Sequence, residues 1–167
     1  LHQHPELSFQ ETKTAQFIKE KLLSFGLDVK TNIGGNGLIG ILEGNQPGKT
    51  IALRADFDAL PIQDEKDVPY KSQNPGVMHA CGHDGHTAAL LGTAKLLSEY
   101  KDEIKGKVVF LFQPAEEAPP GGAKLMIEDN VLNGVDYVFA GHLDSKTKVG
   151  KVATGKGYMM AAVDKFK

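Results

Sequence analysis

Cysteine is nearly absent from the chain. The single Cys81 can close no disulfide within it, which removes the stapled secreted scaffolds from consideration and favours a reducing, cytoplasmic setting. Long apolar runs are missing too. No stretch approaches the roughly 18 residues of a membrane span, and the opening residues Leu1 to Glu11 are too polar for a secretory leader. Neither sign of charge dominates: nineteen basic against twenty-one acidic residues leave a formal charge of -2. That balance argues against holding nucleic acid or anionic lipid by bulk electrostatics, and for a small-molecule or peptide partner. There is no internal repeat, no low-complexity tract and no initiator Met; because the chain opens directly on L-H-Q-H-P-E-L-S-F, further residues are expected upstream.

What is present is an ordinary globular composition, 41% hydrophobic and 24% charged over 167 residues, enough for one packed core. Ala15, Phe17, Ile18, Leu22 and Phe25 recur at helical spacing and Gly26 supplies a stop, so a helix is expected over Thr12 to Phe25. Leu27 to Asn32, Leu38 to Leu42 and Thr50 to Ala55 read as strands, separated by turns at Gly34 to Gly37 and Gly44 to Gly48. Asp58 to Pro75 has little periodicity and reads as an irregular surface excursion. A helix is expected over Thr87 to Tyr100, a strand at Lys107 to Phe112, a helix at Gly122 to Leu132 and a strand at Val135 to Ala140. Alternating strands and helices predict an α/β fold, with a mixed, mostly parallel sheet flanked by helices.

Residues able to bind metal or move protons stand in four clusters at expected strand ends or helix starts: Asp56/Asp58, Cys81/His83/Asp84/His86, Glu116/Glu117 and His142. Ligand sites in open α/β sheets gather beyond the carboxyl ends of the strands, so the clusters can converge. In M-H-A-C-G-H-D-G-H, Cys81 and His83 are two residues apart, and in an extended loop both side chains face one side. A lone Cys is most simply a buried small hydrophobe and a lone His a satisfied polar group. Three His, one Cys and one Asp within a few residues, beside two glycines, point instead to a metal site. Glu116 and Glu117 follow an apolar strand that Pro114 must end. As neighbours they diverge, so one can bind metal while the other faces a water; alone, they would read as a solvated acidic loop. His142 closes another strand in the same way. Asp56 and Asp58 could ligate a metal, orient a ligating His, or pair with Arg54, and spacing leaves all three open.

Together L-H-Q-H-P-E-L-S-F, R-A-D-F-D-A-L-P, M-H-A-C-G-H-D-G-H, Q-P-A-E-E and Gly141-His142 resemble the amidohydrolase branch of the aminoacylase/carboxypeptidase metallopeptidases, which includes hippurate, N-acyl-amino-acid and auxin-conjugate hydrolases. The resemblance runs over essentially the whole chain. It implies a zinc-peptidase-like catalytic domain in which Cys81, His83, Glu117 and His142 ligate metal and Glu116 is the general base. Asp56, Asp58, Asp84 and His86 take supporting places. It also implies two divalent ions, zinc or manganese, an N-acyl amino acid as substrate, and a homo-oligomeric full-length form.

Two departures from the family pattern stand out. Leu143 to Thr147 is polar and proline-free where an aromatic or Pro-containing segment is usual. Residues 150–167 resemble the entry into a second, lid-like domain, so residues 1–167 are expected to be a partial catalytic domain, inactive alone, with Met159, Met160 and Phe166 left without partners. The other readings are a non-catalytic metal-binding or interaction module and a dipeptidase of the same superfamily.

Overall fold

In a computed structural model, residues 1–158 are described. The expected patch at Met159, Met160 and Phe166 lies outside these residues, as does half of the approach to a second domain; residues 141–158 contain no helix or strand. Among the described residues no helix is long and apolar enough to cross a membrane.

Helix α1 (Thr12–Ser24) buries Ile18 and Leu22 on one stripe and leaves Phe17 outside. It stops where expected. Gly26 adopts the left-handed conformation (φ 78°), and the Leu27 and Gly26 amides donate back to the Leu22 and Leu23 carbonyls. Strands β1 (Asp28–Ile33), β2 (Gly37–Glu43), β3 (Gln46–Asp56), β4 (Lys105–Gln113) and β5 (Tyr137–Ala140) form one sheet in the order β1-β2-β4-β3-β5. β4 is parallel to β3 and β3 to β5, while β2 is antiparallel to both β1 and β4. Four of the five strands therefore run the same way, and the sheet is mixed and mostly parallel as the pattern predicts.

Alternation along β4 makes the sheet a middle layer. Phe110 and Phe112 face α1 and α2 (His83–Glu99), packing with Ile18, Leu22, Leu90, Leu91 and Ala94. Val109 and Leu111 face the opposite side, with Ile39, Ala52 and Met126 of α3 (Gly122–Glu128). Each large apolar side chain buried there contributes about 1.5–3 kcal/mol.

The elements differ most from expectation at three ends, elsewhere by no more than two residues. α2 starts at His83 rather than Thr87, because Gly82 (φ 83°) sets up the first turn and its carbonyl accepts the His86 amide. The first-turn residues are polar, so apolar periodicity does not register them. β3 begins at Gln46, inside the expected turn, where it already pairs with Lys105. α3 ends at Glu128 instead of Leu132, since Asn130 is left-handed (φ 61°) and the Val131 amide returns to the Met126 carbonyl. Residues 57–82 contain no helix or strand beyond two isolated bridges. Buried Asp64 organises part of that excursion, accepting the Ser72 and Lys66 amides and the Lys66 ammonium. Those bonds, the Ser72 amide foremost, hold its carboxyl well below the usual carboxylate range.

Candidate metal centre

Parallel pairing of β4, β3 and β5 puts the ends of three strands at one edge. Asp56 lies opposite Gln113, and Arg54 opposite Ala140. The residues that follow these ends are Phe57 and Asp58, the Pro114-Ala115-Glu116-Glu117 turn, and Gly141-His142. The first turn of α2 faces the same place, because Thr87 donates its hydroxyl to the Asp56 carbonyl at 2.9 Å.

Three groups of donors gather there, each with ligating atoms within 4.8 Å of one another: Cys81/His83/His142, His83/Glu116/Glu117 and Asp56/His83/His86. Their common member is His83, which is 1% exposed. Its Nδ1 lies 3.1 Å from Asp58 Oδ1, so the ring donates N–H to that carboxylate. Its Nε2 is buried with no hydrogen-bond partner, 3.7 Å from Glu117 Oε1, 3.7 Å from Asp56 Oδ2 and 3.9 Å from Glu116 Oε2. His142 is set up alike. Its Nδ1 donates to the Leu143 carbonyl at 2.7 Å, leaving Nε2 3.5 Å from Cys81 Sγ. An imidazole tied at Nδ1 to an oxygen, with its Nε2 lone pair free, is the arrangement that metal-ligating histidines show.

His86 behaves differently. The Leu143 amide donates to Nε2 at 2.9 Å, which makes Nδ1 the protonated nitrogen, and this donates to Asp56 Oδ1 at 2.6 Å. With both nitrogens engaged, His86 braces the His142 loop against β3. Asp56 also takes Arg54 Nη1 at 2.8 Å, and Asp58 accepts the Ser8 hydroxyl at 2.6 Å and the Glu117 amide at 3.0 Å. Asp56 and Asp58 thus orient the two histidines, and Asp56 also pairs with Arg54 while keeping its place in one of the three donor groups. Asp84 turns away, to His2 Nδ1 at 2.7 Å, and belongs to none of the three groups.

Four carboxylates face one arginine here, and the titrations reflect that imbalance. Burial pushes Asp58 up, but the bonds from His83, Ser8 and Glu117 prevail and bring it down to about 2. Asp56 is lowered for the same reasons: burial opposes, while His86 and Arg54 prevail. Burial opposes charge on His83 as well, yet Asp58 and Asp56 raise it overall. The Cys81 thiol is pushed up to about 12 by burial and by the Glu117 carboxylate, to which it donates. Burial and the neighbouring charges of Glu117 and Asp56 raise Glu116. The raised values of His83, Cys81 and Glu116 report a surplus of negative potential that a cation would relieve, whereas the lowered Asp56 and Asp58 report the donors that hold them; a bound cation would reverse the thiol's preference outright. The orphaned His83 Nε2, the His142 Nε2 beside the Cys81 sulfur, and two carboxylates make a donor set suited to borderline divalent ions such as zinc.

Residues 52–164 match the profile of peptidase family M20/M25/M40. The chain belongs to that family. It is 55% identical to the N-acyl-L-amino acid amidohydrolase of Geobacillus stearothermophilus, over 99% of this chain and 45% of the relative. It is 51% identical to thermostable carboxypeptidase 2 of Saccharolobus solfataricus, over all of this chain and 43% of the relative. Among solved structures it superposes with TM-score 0.86 and 46% identity on the Bacillus subtilis YXEP protein, described as a dinuclear metal-binding peptidase from the M20 family, covering 90% of this chain and 42% of that one. The chain spans less than half the length of these relatives.

Sequence reasoning brought Cys81, His83, Glu116, Glu117 and His142 to one place in this M20/M25/M40 chain, where the geometry gathers them. It missed Ser8, which reaches Asp58 across 50 residues, and Glu11, which reaches Ala115 across 104. Neither contact leaves a local trace in spacing. Ser8 stands in the resembling motif L-H-Q-H-P-E-L-S-F, which ends at Phe9, and Glu11 lies beyond it.

Proposed function

We propose that the protein to which this domain belongs is a metal-dependent amidohydrolase that cleaves N-acyl amino acids. Cys81, His83, Glu117 and His142 hold the metal, and Glu116 is the general base. The observation that carries the reading is the buried His83 Nε2, aimed without a partner at Glu116 and Glu117 while Nδ1 is held by Asp58. Two divalent ions held by these residues would acidify a water and polarise the amide carbonyl.

The chain's own residues divide the remaining work. Glu116 Oε2 takes the proton of the attacking water and passes it to the leaving amine. At 42% side-chain exposure it is open to solvent and substrate, whereas Glu117, at 22%, lies deeper beside Cys81. Asp58 fixes the His83 tautomer, and His86 fixes the loop that carries His142.

Support for an N-acyl amino acid comes from the relative of that name. The carboxypeptidase-named relative makes peptides the comparison class. Metal analysis of the purified full-length protein, with turnover measured on a panel of N-acyl amino acids and dipeptides, tests the reading. Metal at about two per chain and faster turnover of N-acyl amino acids are expected. Turnover undiminished after exhaustive chelation would overturn the metal mechanism, and preference for dipeptides would move the substrate assignment.

A further inference from the structure

Glu11 is a fully buried carboxylate, and the proposed mechanism does not use it. Its Oε1 accepts the Ala115 amide at 2.8 Å and its Oε2 accepts Asn36 Nδ2 at 3.0 Å. Ala115 is itself fully buried and left-handed, with φ 47°. An alanine is strained in that region, where glycine would not be, so surrounding contacts must hold it. On the carbonyl side the Gly122 amide donates to Ala115 at 2.9 Å, and a Cβ at Gly122 would overlap the Pro114 carbonyl. On the amide side the holder is Glu11.

The turn so held is the one that aims Glu116 and Glu117. Directly after Ala115 the chain delivers the Glu117 amide to Asp58 Oδ2, the carboxylate whose other oxygen orients His83. The N-terminal segment grips the opposite side too, through Ser8 on Asp58. Were the Ala115 amide released, its φ would relax toward negative values and the two glutamates would turn with it.

We infer that Glu11 is a positioning residue: its carboxylate locks the left-handed turn at Ala115 and thereby sets the direction of Glu116 and Glu117. The inference rests on the metal-centre reading for its consequence, though the lock itself can be tested without metal. Glu11→Leu removes the acceptor and leaves the Ala115 amide buried and unpaired. Glu11→Gln still offers one oxygen to Ala115, and Asn36 can rotate its amide to match the new donor. Ala115→Gly lets the turn form without strain.

Amide hydrogen exchange on the metal-free full-length protein reads the lock. Glu11→Leu should speed exchange at Ala115 and Glu117 by about 10- to 100-fold, relative to the Phe110 amide in the sheet, as expected for losing a charge-assisted hydrogen bond. Glu11→Gln should restore most of the protection. In an Ala115→Gly background, Glu11→Leu should disturb Glu117 less. Titration with Co²⁺ alone, followed by its d–d absorption, reads the consequence: affinity should fall about 10- to 100-fold in Glu11→Leu, as when a partner of a ligand is lost.

Faster exchange at Ala115 with Glu117 unchanged would overturn the inference, and so would an equal rise throughout the sheet, which would make Glu11 merely structural. Should Glu11→Leu not fold, Glu11→Asp, one methylene too short to reach Ala115, is read by the same criteria. Failure of the unaltered chain to bind Co²⁺ would count against the metal centre instead, and the exchange result would still decide the role of Glu11.

Discussion

Replacing Asp58 with asparagine tests how much of the site's architecture is electrostatic. The carboxyl is 1% exposed and sits at about 2 instead of its ordinary 3.8. At about 1.4 kcal/mol per pH unit, that difference amounts to roughly 2 kcal/mol of stability in the metal-free chain. Because the folded value lies below the unfolded one, the stabilisation is full above pH ~4 and is lost as pH falls through 3.8 toward about 2. The asparagine oxygen can still accept from Ser8 and Glu117, but its amide then faces His83 Nδ1 as a second donor. Urea unfolding of both chains at pH 7, 4 and 2.5 should give a gap of about 2 kcal/mol at neutrality that narrows in acid. The other acidic groups titrate in both proteins and cancel in the comparison. A gap that stayed constant from pH 7 to 2.5 would refute the electrostatic account and leave only altered packing. The substitution has a second effect: a proton driven onto His83 Nε2 would occupy the lone pair the metal needs, so affinity should fall by about 10- to 100-fold.

Glu116→Gln in the full-length protein should lower turnover about 10²–10⁴-fold with metal content nearly unchanged. Glu117→Gln should lower both, and equal loss of metal from the two variants would void the division of labour between them. The Cys81 thiol gives a metal-free readout of the same carboxylates. Held at about 12 against an ordinary 9.0, it should alkylate at pH 8 about 100- to 1,000-fold more slowly than a free thiol, since the thiolate is the reactive form. Glu117→Gln should recover much of that rate; iodoacetamide kinetics on the two chains decide the point, and equal rates would deny that Glu117 restrains the thiol.

What could be read from the chain divides along the range of the contacts involved. α1 announces itself through Ile18, Leu22 and Gly26, and β4 through its apolar run, because those signals lie within a few residues of one another. The convergence of Asp56, Glu116 and His142 was likewise legible, since parallel strands end at one edge whatever the details of pairing. Strand neighbours were not. β2 and β3 are joined only by Gly44-Asn45, a link short enough for a hairpin, yet β4 lies between them and Lys107 stands opposite both Glu43 and Thr50. No local pattern reports an insertion from more than fifty residues away. The same limit hid the roles of Asp56 and Asp58, two residues apart in one motif, which part company because the first turn of α2 presents His86 to one and His83 to the other. That turn was itself invisible to apolar periodicity, because His83, Asp84, Gly85 and His86 offer no apolar side chain to count. Polar residues crowding a strand end are thus the signal that a site exists. Which of them keeps a lone pair to offer is decided by partners elsewhere in the chain, as the different fates of His83, with a free Nε2, and His86, with none, make plain.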